Sequence, residues 1–343
     1  MNLAEDTHGG PDRWGVPLHD FSTNANACGP CPVAAAAVRD ADASRYPDPG
    51  YTDLRAELAR FHGVADARIV FAASASEFVF RMTAVMALRG ARAVVLPAHS
   101  YGDYEKAARA WRLPVRRTRL DGSGGSGGSG GGGAPRLVWR CDPSSPLGQG
   151  DARLGAELAR LSEADVCVLD LAYEPLRLDG VPALDAHQRD RVWQLWTPNK
   201  ALGLTGVRAA YAIAPVDADD MVAEASAMAP SWPVGAHGVA LLQAWTTRGA
   251  QQWLAGSLET LRGWKGAQQA LCESFGWRCE PSDANFFCAT PPAADVSALC
   301  ASLRARNIKL RDTTSFGLPG RVRLGVLGPT AQRALGEALT SIG

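Results

Sequence analysis

Hydrophobic residues recur along the first two thirds of the chain in two alternating patterns. One has the spacing of an amphipathic helix and is found at residues 51–62, 76–88, 104–111 and 152–161. The other is a short apolar run of strand type, found at residues 68–71, 91–96, 113–120, 136–140, 166–169 and 209–214. Short buried strands separated by helices are typical of a mostly parallel sheet covered on both faces. The pattern therefore predicts an α/β fold.

The pattern changes from about residue 231 towards longer helices and fewer strands. Helices are predicted at residues 237–246 and 251–275, followed by short strands near residues 285–288 and 321–326. This change predicts a smaller α+β domain at the C-terminus. We expect three parts. Residues 1–40 form an N-terminal arm that packs with the small domain, residues 41–235 form the large domain, and residues 236–343 form the small domain.

Residues 122–133 contain only glycine and serine. Such a stretch has no side chain to bury and much backbone entropy to lose, so it predicts a flexible surface loop. Because a strand-like run stands on each side of it, we expect a loop between two strands of one domain rather than a linker between domains.

Composition and charge restrict the possible partners. The chain has 343 residues, 46% of them hydrophobic, which is enough for a substantial core. Lys plus Arg and Asp plus Glu each total 35, so net charge gives no reason to expect binding to nucleic acid or to an anionic membrane. No apolar run approaches the roughly 20 residues that span a bilayer, and the first ten residues lack the apolar core of a secretion signal. We therefore expect a cytoplasmic protein.

Eight cysteines in a chain of this length do not indicate a disulfide framework. Cys28 and Cys31 have the C-x-x-C spacing that can hold a metal or exchange thiols. A zinc site needs a second pair of ligands, and a redox motif needs a preceding strand, and neither accompanies these two residues. We expect structural thiols and no metal site.

The residues that could carry chemistry stand at the ends of predicted strands, where ligands bind in parallel sheets. Lys200 lies in a glycine-containing loop, and a lysine that attaches a planar cofactor needs a partly buried site of this kind. Asp170 ends a strand, where it could pair with a cationic ring nitrogen or cap a helix. The turn Ala72-Ala-Ser-Ala-Ser-Glu77 opens a helix after a strand, where backbone N–H groups and hydroxyls can hold a phosphate.

These motifs, in this order, resemble the fold-type I pyridoxal-phosphate enzymes, and within them the group of histidinol-phosphate aminotransferase and threonine-phosphate decarboxylase. The most specific element is Thr197-Pro-Asn-Lys200-Ala-Leu-Gly-Leu-Thr-Gly-Val-Arg208. The resemblance implies a large domain with a mostly parallel sheet and pyridoxal 5'-phosphate as the cofactor. It also implies that Lys200 is the catalytic residue that attaches the cofactor and that Thr197 and Arg208 hold its phosphate.

Further cofactor contacts are implied by the same resemblance. The motif Asp170-Leu-Ala-Tyr173 implies that Asp170 contacts the ring nitrogen and Tyr173 the ring hydroxyl. Tyr101 corresponds to an aromatic residue that stacks on the ring, and Ser145 stands where the group has an asparagine. In the turn before the helix, the residues that correspond to phosphate contacts are Ser74 and Ala75.

Contacts to a second subunit and to the substrate are implied as well. Tyr46, in Tyr46-Pro-Asp-Pro-Gly-Tyr, corresponds to a tyrosine that reaches the neighbouring subunit's cofactor phosphate, which implies a homodimer. Arg323 corresponds to the arginine that binds the substrate's carboxylate. The other substrate-binding candidates are Arg311, His8 and Asn26. The expected substrate is a small amino acid that carries a phosphate.

The resemblance leaves the reaction open between three hypotheses. The first is decarboxylation of threonine phosphate in cobalamin biosynthesis, because the segments around His8 and Asn26 resemble that enzyme. The second is amino transfer of the histidinol-phosphate type. The third is a cofactor-fold protein without activity that serves as a scaffold, since Ser145 and Asn199 replace the family's usual residues. The retained Lys200 argues against the third.

Overall fold

The computed structural model describes residues 9–118 and 134–342. The strands in chain order are β1 (His19–Asp20), β2 (Ile69–Ala72), β3 (Ala93–Leu96), β4 (Val115–Arg117), β5 (Arg136–Cys141), β6 (Val166–Asp170), β7 (Trp193–Trp196), β8 (Ala210–Ile213), β9 (Arg278–Cys279), β10 (Phe286–Thr290), β11 (Ile308–Lys309), β12 (Arg311–Asp312) and β13 (Val322–Gly325). The helices are α1 (Pro32–Arg39), α2 (Thr52–His62), α3 (Ala75–Leu88), α4 (Gly102–Ala110), α5 (Leu154–Leu158), α6 (Ala186–Arg189), α7 (Asp219–Ala227), α8 (Ala236–Thr246), α9 (Arg248–Ser274), α10 (Val296–Ala305) and α11 (Pro329–Ile342).

A seven-stranded sheet forms the larger part of the molecule, with the order β2-β8-β7-β6-β5-β3-β4. The strands from β7 to β4 pair in parallel, whereas β8 is antiparallel to both of its neighbours. Parallel neighbours require crossover connections, and the helices between successive strands provide them. The carboxyl ends of β5, β6 and β7 therefore meet at one edge of the sheet, and the predicted α/β fold with a mostly parallel sheet is confirmed.

The large sheet is covered by apolar side chains on both faces. In β6, Val168 belongs to one core cluster, and its neighbours Cys167 and Leu169 belong to the cluster on the other face. Helices α3, α4 and α7 supply the first cluster, and α2 and α8 supply the second. Because both faces are buried, the strands read as continuous apolar runs, which is why the sequence predicted most of them.

A second, four-stranded sheet has the antiparallel order β12-β13-β10-β9. Its core combines residues of β10, β13, α10 and α11 with Cys272 near the end of α9. Earlier in α9, Leu254 and Leu261 belong to the core of the large sheet. The 27 residues of α9 thus connect the two cores. Helix α8 lies beyond residue 235, yet its Leu241 and Leu242 pack in the core of the large sheet.

The chain from residue 9 to residue 22 lies against the smaller sheet. Strand β1 pairs in parallel with β11, and the backbone N–H of Gly325 donates to the carbonyl of Phe21 at 2.7 Å. Asp12 forms ion pairs with Arg304 and Lys309 at 2.9 and 3.2 Å. Further along, α1 packs against α8 instead.

Several elements differ from the sequence-based prediction. Helix α5 and strand β4 are shorter than predicted. The prediction missed the helices α1, α6, α7, α10 and α11 and the strands β1, β7, β9, β11 and β12. Strand β7 has the sequence Trp-Gln-Leu-Trp and is buried at all four positions, so it shows no alternation. The glycine-serine loop predicted at residues 122–133 lies outside the described residues. The strands that flank it, β4 and β5, both pair with β3.

The described residues contain no disulfide, no cluster of metal-ligating side chains and no helix suited to crossing a membrane. All eight cysteines are free. Within residues 9–118 and 134–342, no group of three or more His, Cys, Asp or Glu side chains could hold a metal ion. No helix in the same ranges combines the length and hydrophobicity that a membrane span requires.

Candidate active site

A cavity of about 490 Å³ lies where the carboxyl ends of the large-sheet strands face the smaller sheet. Asp170 is the last residue of β6, Cys141 is the last residue of β5, and Thr197 follows β7 directly. Arg311 of β12 and Arg323 of β13 line the cavity from the opposite side. Strand-end residues meet here because the parallel strands share one direction.

Lys200 lies in a loop after β7 that is held by the chain around residues 26–31. The backbone N–H of Asn26 donates to the Lys200 carbonyl at 2.9 Å, and that of Cys31 donates to the Leu202 carbonyl at 2.8 Å. Gly203 has φ +68°, and a Cβ there would lie 2.6 Å from a backbone oxygen of the same segment, so only glycine fits. The Lys200 side chain is half-buried and lines the cavity.

Asp170 presents a buried carboxylate, 5% exposed, to the cavity. Its Oδ2 accepts a hydrogen bond of 2.6 Å from Tyr104, and its Oδ1 accepts one of 2.9 Å from the Ala172 N–H. Burial raises the pKa of Asp170, whereas the two hydrogen bonds and the charge of Lys200 act in the opposite direction. A cation in the cavity would stabilise the ionised form further.

The turn between β2 and α3 and the loops facing it present hydroxyl groups to the cavity. Ser74 caps α3, with its Oγ accepting from the Glu77 N–H at 3.1 Å, and Ser76 donates to Asp103. Tyr101 donates to the same Asp103 oxygen at 2.7 Å. The Thr197 hydroxyl is buried and has no partner among the described residues. Thr197 and the N-terminus of α3 line the same cavity, and a buried hydroxyl without a partner among the described residues suits an anionic ligand there.

Two arginines line the part of the cavity that faces the smaller sheet. Arg311 and Arg323 are each 7% exposed, and their guanidinium carbons lie 4.8 and 5.6 Å from the centroid of the Phe316 ring. Burial and the charge of Arg323 lower the pKa of Arg311 to about 10. Their recorded hydrogen bonds go to backbone carbonyls and one serine hydroxyl, and neither guanidinium pairs with a carboxylate in the ranges that the structure covers. An anion in the cavity would supply the missing charge partner.

Most of the residues proposed from the sequence line this one cavity. They are Lys200, Asp170, Tyr173, Tyr101, Thr197, Arg208, Ser74, Ala75, Ser145, Arg311 and Arg323. Tyr46 does not, since it is 76% exposed and its ring stacks on that of Trp232 at 4.3 Å. His8 lies outside the described residues.

Asn26 also does not line the cavity, although the sequence suggested it as a substrate contact. Its Nδ2 donates to the Ala201 carbonyl at 3.0 Å, and its Oδ1 accepts from the Cys28 N–H at 3.0 Å. Both ends of the amide are therefore used to hold the loop that carries Lys200. Asn24, two positions earlier, does line the cavity, and its Nδ2 donates to the Tyr173 hydroxyl at 3.3 Å.

The residues of the site that sequence reasoning missed include Asn24, Tyr104 and Phe316. Tyr104 had a usable signal, because the helix predicted at residues 104–111 begins with it, about one helical turn after Tyr101. Asn24 had none, since nothing in the sequence separates it from Asn26. Phe316 lies in a short 3-10 turn whose approach to the arginines depends on the packing of the smaller sheet.

Three comparisons relate this chain to known proteins. The family model described as aminotransferase class I and II matches residues 16–342. A histidinol-phosphate aminotransferase from Jannaschia sp. (strain CCS1) is 29% identical over 334 residues, which cover 94% of this chain and 90% of that protein.

Solved structures share the fold over nearly the whole chain. Histidinol-phosphate aminotransferase from Sinorhizobium meliloti, in complex with pyridoxal-5'-phosphate, has a TM-score of 0.76 and 21% identity, covering 95% of this chain and 92% of that chain. L-threonine-O-3-phosphate decarboxylase from Porphyromonas gingivalis has a TM-score of 0.77 and 20% identity, covering 95% of this chain and 99% of that chain. The resemblance found in the sequence motifs is thus confirmed.

Proposed function

The chain belongs to the aminotransferase class I and II family, whose members depend on pyridoxal phosphate, and from that premise we propose that it transfers the amino group of a small, phosphate-bearing substrate to a keto acid. The observation that carries the proposal is the pair of buried arginines, Arg311 and Arg323. Two guanidinium groups without a carboxylate partner within the described ranges match a doubly charged phosphate better than a single carboxylate.

The residues around the cavity fit pyridoxal phosphate. The buried carboxylate of Asp170 has no ion-pair partner among the described residues and suits the cationic ring nitrogen. The Thr197 hydroxyl, unpartnered in the same part of the chain, suits the phosphate. We propose that Lys200 attaches the cofactor, that Arg208 and Ser74 join Thr197 at the phosphate, and that Tyr101, Tyr173 and Ser145 contact the ring. When bound, the cofactor supplies an electron sink that stabilises negative charge on the substrate carbon bearing the amino group.

The chain's own groups then bind the substrate and move a proton. Arg311 and Arg323 hold the substrate's phosphate and so fix which bond faces the reactive centre. For Arg323 this role replaces the carboxylate contact that the sequence resemblance implied. The Lys200 amine accepts the proton from the carbon that bears the amino group and returns it during transfer. Asp170 keeps its negative charge beside the ring nitrogen, which keeps the electron sink effective.

Amino transfer is favoured over the decarboxylation that the sequence first suggested. The decarboxylase hypothesis relied on His8 and Asn26. Asn26 uses both ends of its amide on the backbone, and His8 lies outside the described residues. The curated relatives reported above carry the name histidinol-phosphate aminotransferase, whereas the decarboxylase is a structural neighbour at 20% identity.

The reaction is tested with purified protein loaded with pyridoxal phosphate. Histidinol phosphate with 2-oxoglutarate should give glutamate, and threonine phosphate should release no carbon dioxide. Carbon dioxide from threonine phosphate without glutamate formation would favour the decarboxylase instead. Protein that stays colourless with added cofactor and turns over neither substrate would support the scaffold hypothesis.

We propose in addition that the enzyme acts as a homodimer. Tyr46 and Trp232 form a stacked, exposed aromatic pair, and the Trp232 Nε1–H donates to the Pro47 carbonyl at 3.0 Å. Exposed aromatic residues held in a fixed geometry are typical of protein interfaces. Light scattering should give twice the chain mass, and Tyr46→Ala should weaken cofactor binding by the wild-type partner in mixed dimers. A monomeric mass with full activity would contradict this.

A further inference from the structure

Tyr104 lies beneath the candidate active site and does not itself line the cavity. It belongs to α4, its side chain is fully buried, and its ring stacks on Trp139 with centroids 4.7 Å apart and planes 9° apart. The ring of Tyr101 meets it edge-on at 5.6 Å. Packed on both sides in this way, the phenol has little freedom, and its hydroxyl donates to Asp170 Oδ2 at 2.6 Å.

We propose that Tyr104 is a positioning residue, whose hydroxyl holds the Asp170 carboxylate in the orientation and charge that the cofactor's ring nitrogen requires. This inference rests on the proposed function, because it needs a cationic ring in the cavity. It assigns a role to a residue that contacts neither the substrate nor the space for the cofactor.

The groups around Asp170 show why this one hydrogen bond matters. Burial opposes ionisation of the carboxylate, and only Tyr104 and the Ala172 N–H donate to it among the described groups. Three titratable groups from other elements also face the Asp170 carboxylate, namely the Cys141 thiol, the Tyr101 phenol and the Lys200 amine. Burial raises the pKa values of the thiol and of the phenol, so both stay neutral, and Lys200 is the nearby cation.

Loss of the hydroxyl changes where a proton resides. A carboxylate that keeps one donor instead of two is more basic, because hydrogen bonds to the charged form stabilise it. Asp170 would then compete better for the proton it shares with the ring nitrogen. A ring without that proton is a weaker electron sink and is held less tightly. Tyr104→Phe removes the hydroxyl and preserves the ring that packs on Trp139.

The test compares Tyr104→Phe with Tyr211→Phe as a matched control. Tyr211 is also fully buried, and its hydroxyl bonds to His62 and Trp245 on the other face of the sheet. We expect Tyr104→Phe to bind pyridoxal phosphate about tenfold to a hundredfold more weakly, the range for a hydrogen bond to a charged group. With nitrogen-15 in the cofactor ring, its chemical shift should move towards the unprotonated form in Tyr104→Phe and stay unchanged in Tyr211→Phe.

Asp170→Asn provides the second variant and separates the possible outcomes. If Tyr104 acts through Asp170, adding Tyr104→Phe to Asp170→Asn should not weaken cofactor binding further. Additive losses, or an unchanged nitrogen-15 shift in Tyr104→Phe, would overturn the inference while leaving the proposed function intact. Failure of the wild-type protein to bind the cofactor would instead overturn the proposed function.

Discussion

The amine of Lys200 lies over the ring of Tyr173, with Nζ 5.5 Å from the ring centroid. The Tyr173 ring is itself fixed edge-on against Phe286 at 4.8 Å, and its hydroxyl accepts a hydrogen bond from Asn24. The lysine therefore contacts an aromatic face inside the cavity, and it forms no ion pair with a carboxylate of residues 9–118 or 134–342. An amine in this position remains available for covalent attachment of a ligand.

Replacement of Lys200 tests that availability directly. Lys200→Ala should lose borohydride-trapped attachment of the cofactor and lower kcat by about a hundredfold to ten-thousandfold, the range for loss of a positioned base. Mass spectrometry of the reduced wild-type protein should find the label on the peptide that carries Lys200. The control is Lys106→Ala, at an exposed position on α4, which should retain both the cofactor attachment and the wild-type kcat. Borohydride trapping that persists in Lys200→Ala would show that the cofactor is attached to another residue.

The arginine pair should determine affinity for the phosphate of the substrate. Arg323→Gln or Arg311→Gln should raise KM about tenfold to a hundredfold, because each removes a charge-assisted contact from a desolvated site. The effect should be much smaller for substrates without the phosphate. Steady-state kinetics with both substrate types measures it, and the exposed Arg333→Gln is the control. Equal losses for both substrate types would show that the pair does not bind phosphate.

The sequence predicted the parts of this site that depend on local pattern or on a specific motif. Asp170 was found because it ends an apolar run, and Lys200 because its loop matches a motif. Asn24 and Asn26 could not be told apart, because the backbone turns between them and only the fold decides which faces the cavity. Phe316 and the two arginines are close in sequence, but they meet only through the antiparallel pairing of β12 with β13, and the sequence analysis did not predict β12.

Asn26 should stabilise the loop that carries Lys200 rather than contact the substrate. Asn26→Leu removes one donor and one acceptor from a buried site, which should lower the free energy of unfolding by about 1–3 kcal/mol. It should also weaken cofactor binding, with little change in KM. Asn26→Asp keeps the acceptor for the Cys28 N–H but turns a second oxygen towards the Ala201 carbonyl, so it should lose at least as much stability. A large rise in KM at unchanged cofactor affinity would restore the substrate-contact hypothesis.

Asp12 should anchor the N-terminal arm to the smaller sheet. Hydrogen bonds from Arg304 and Lys309 hold the pKa of Asp12 well below its usual range, so it stays ionised at any working pH. We propose that Asp12→Asn loosens residues 9–22, of which Gly9 and Ser22 line the cavity. Limited proteolysis should then cleave the arm faster, and KM should rise, whereas unfolding by urea should change little. Unchanged cleavage would mean that the pairing of β1 with β11 holds the arm by itself.

His62 should make the protein less stable in mild acid. Its Nε2 lies 2.7 Å from the Tyr211 hydroxyl, and burial, with the nearby charge of Arg189, lowers its pKa from 6.5 to about 4. The unfolded chain therefore binds the proton more readily than the folded chain does. Stability from this group is complete above pH 6.5 and is lost as the pH falls towards 4, by about 3 kcal/mol in total.

The variant His62→Gln isolates this contribution, because glutamine can keep a hydrogen bond to Tyr211 but takes up no proton. The free energy of unfolding in urea is measured at several values between pH 7 and pH 4 for both proteins. The wild-type protein should lose more stability than His62→Gln over this range, with the difference growing steadily as the pH falls. His237→Gln, on the exposed side of α8, is the matched control. Parallel curves for wild-type and His62→Gln would show that the ring takes up its proton equally well in the folded protein.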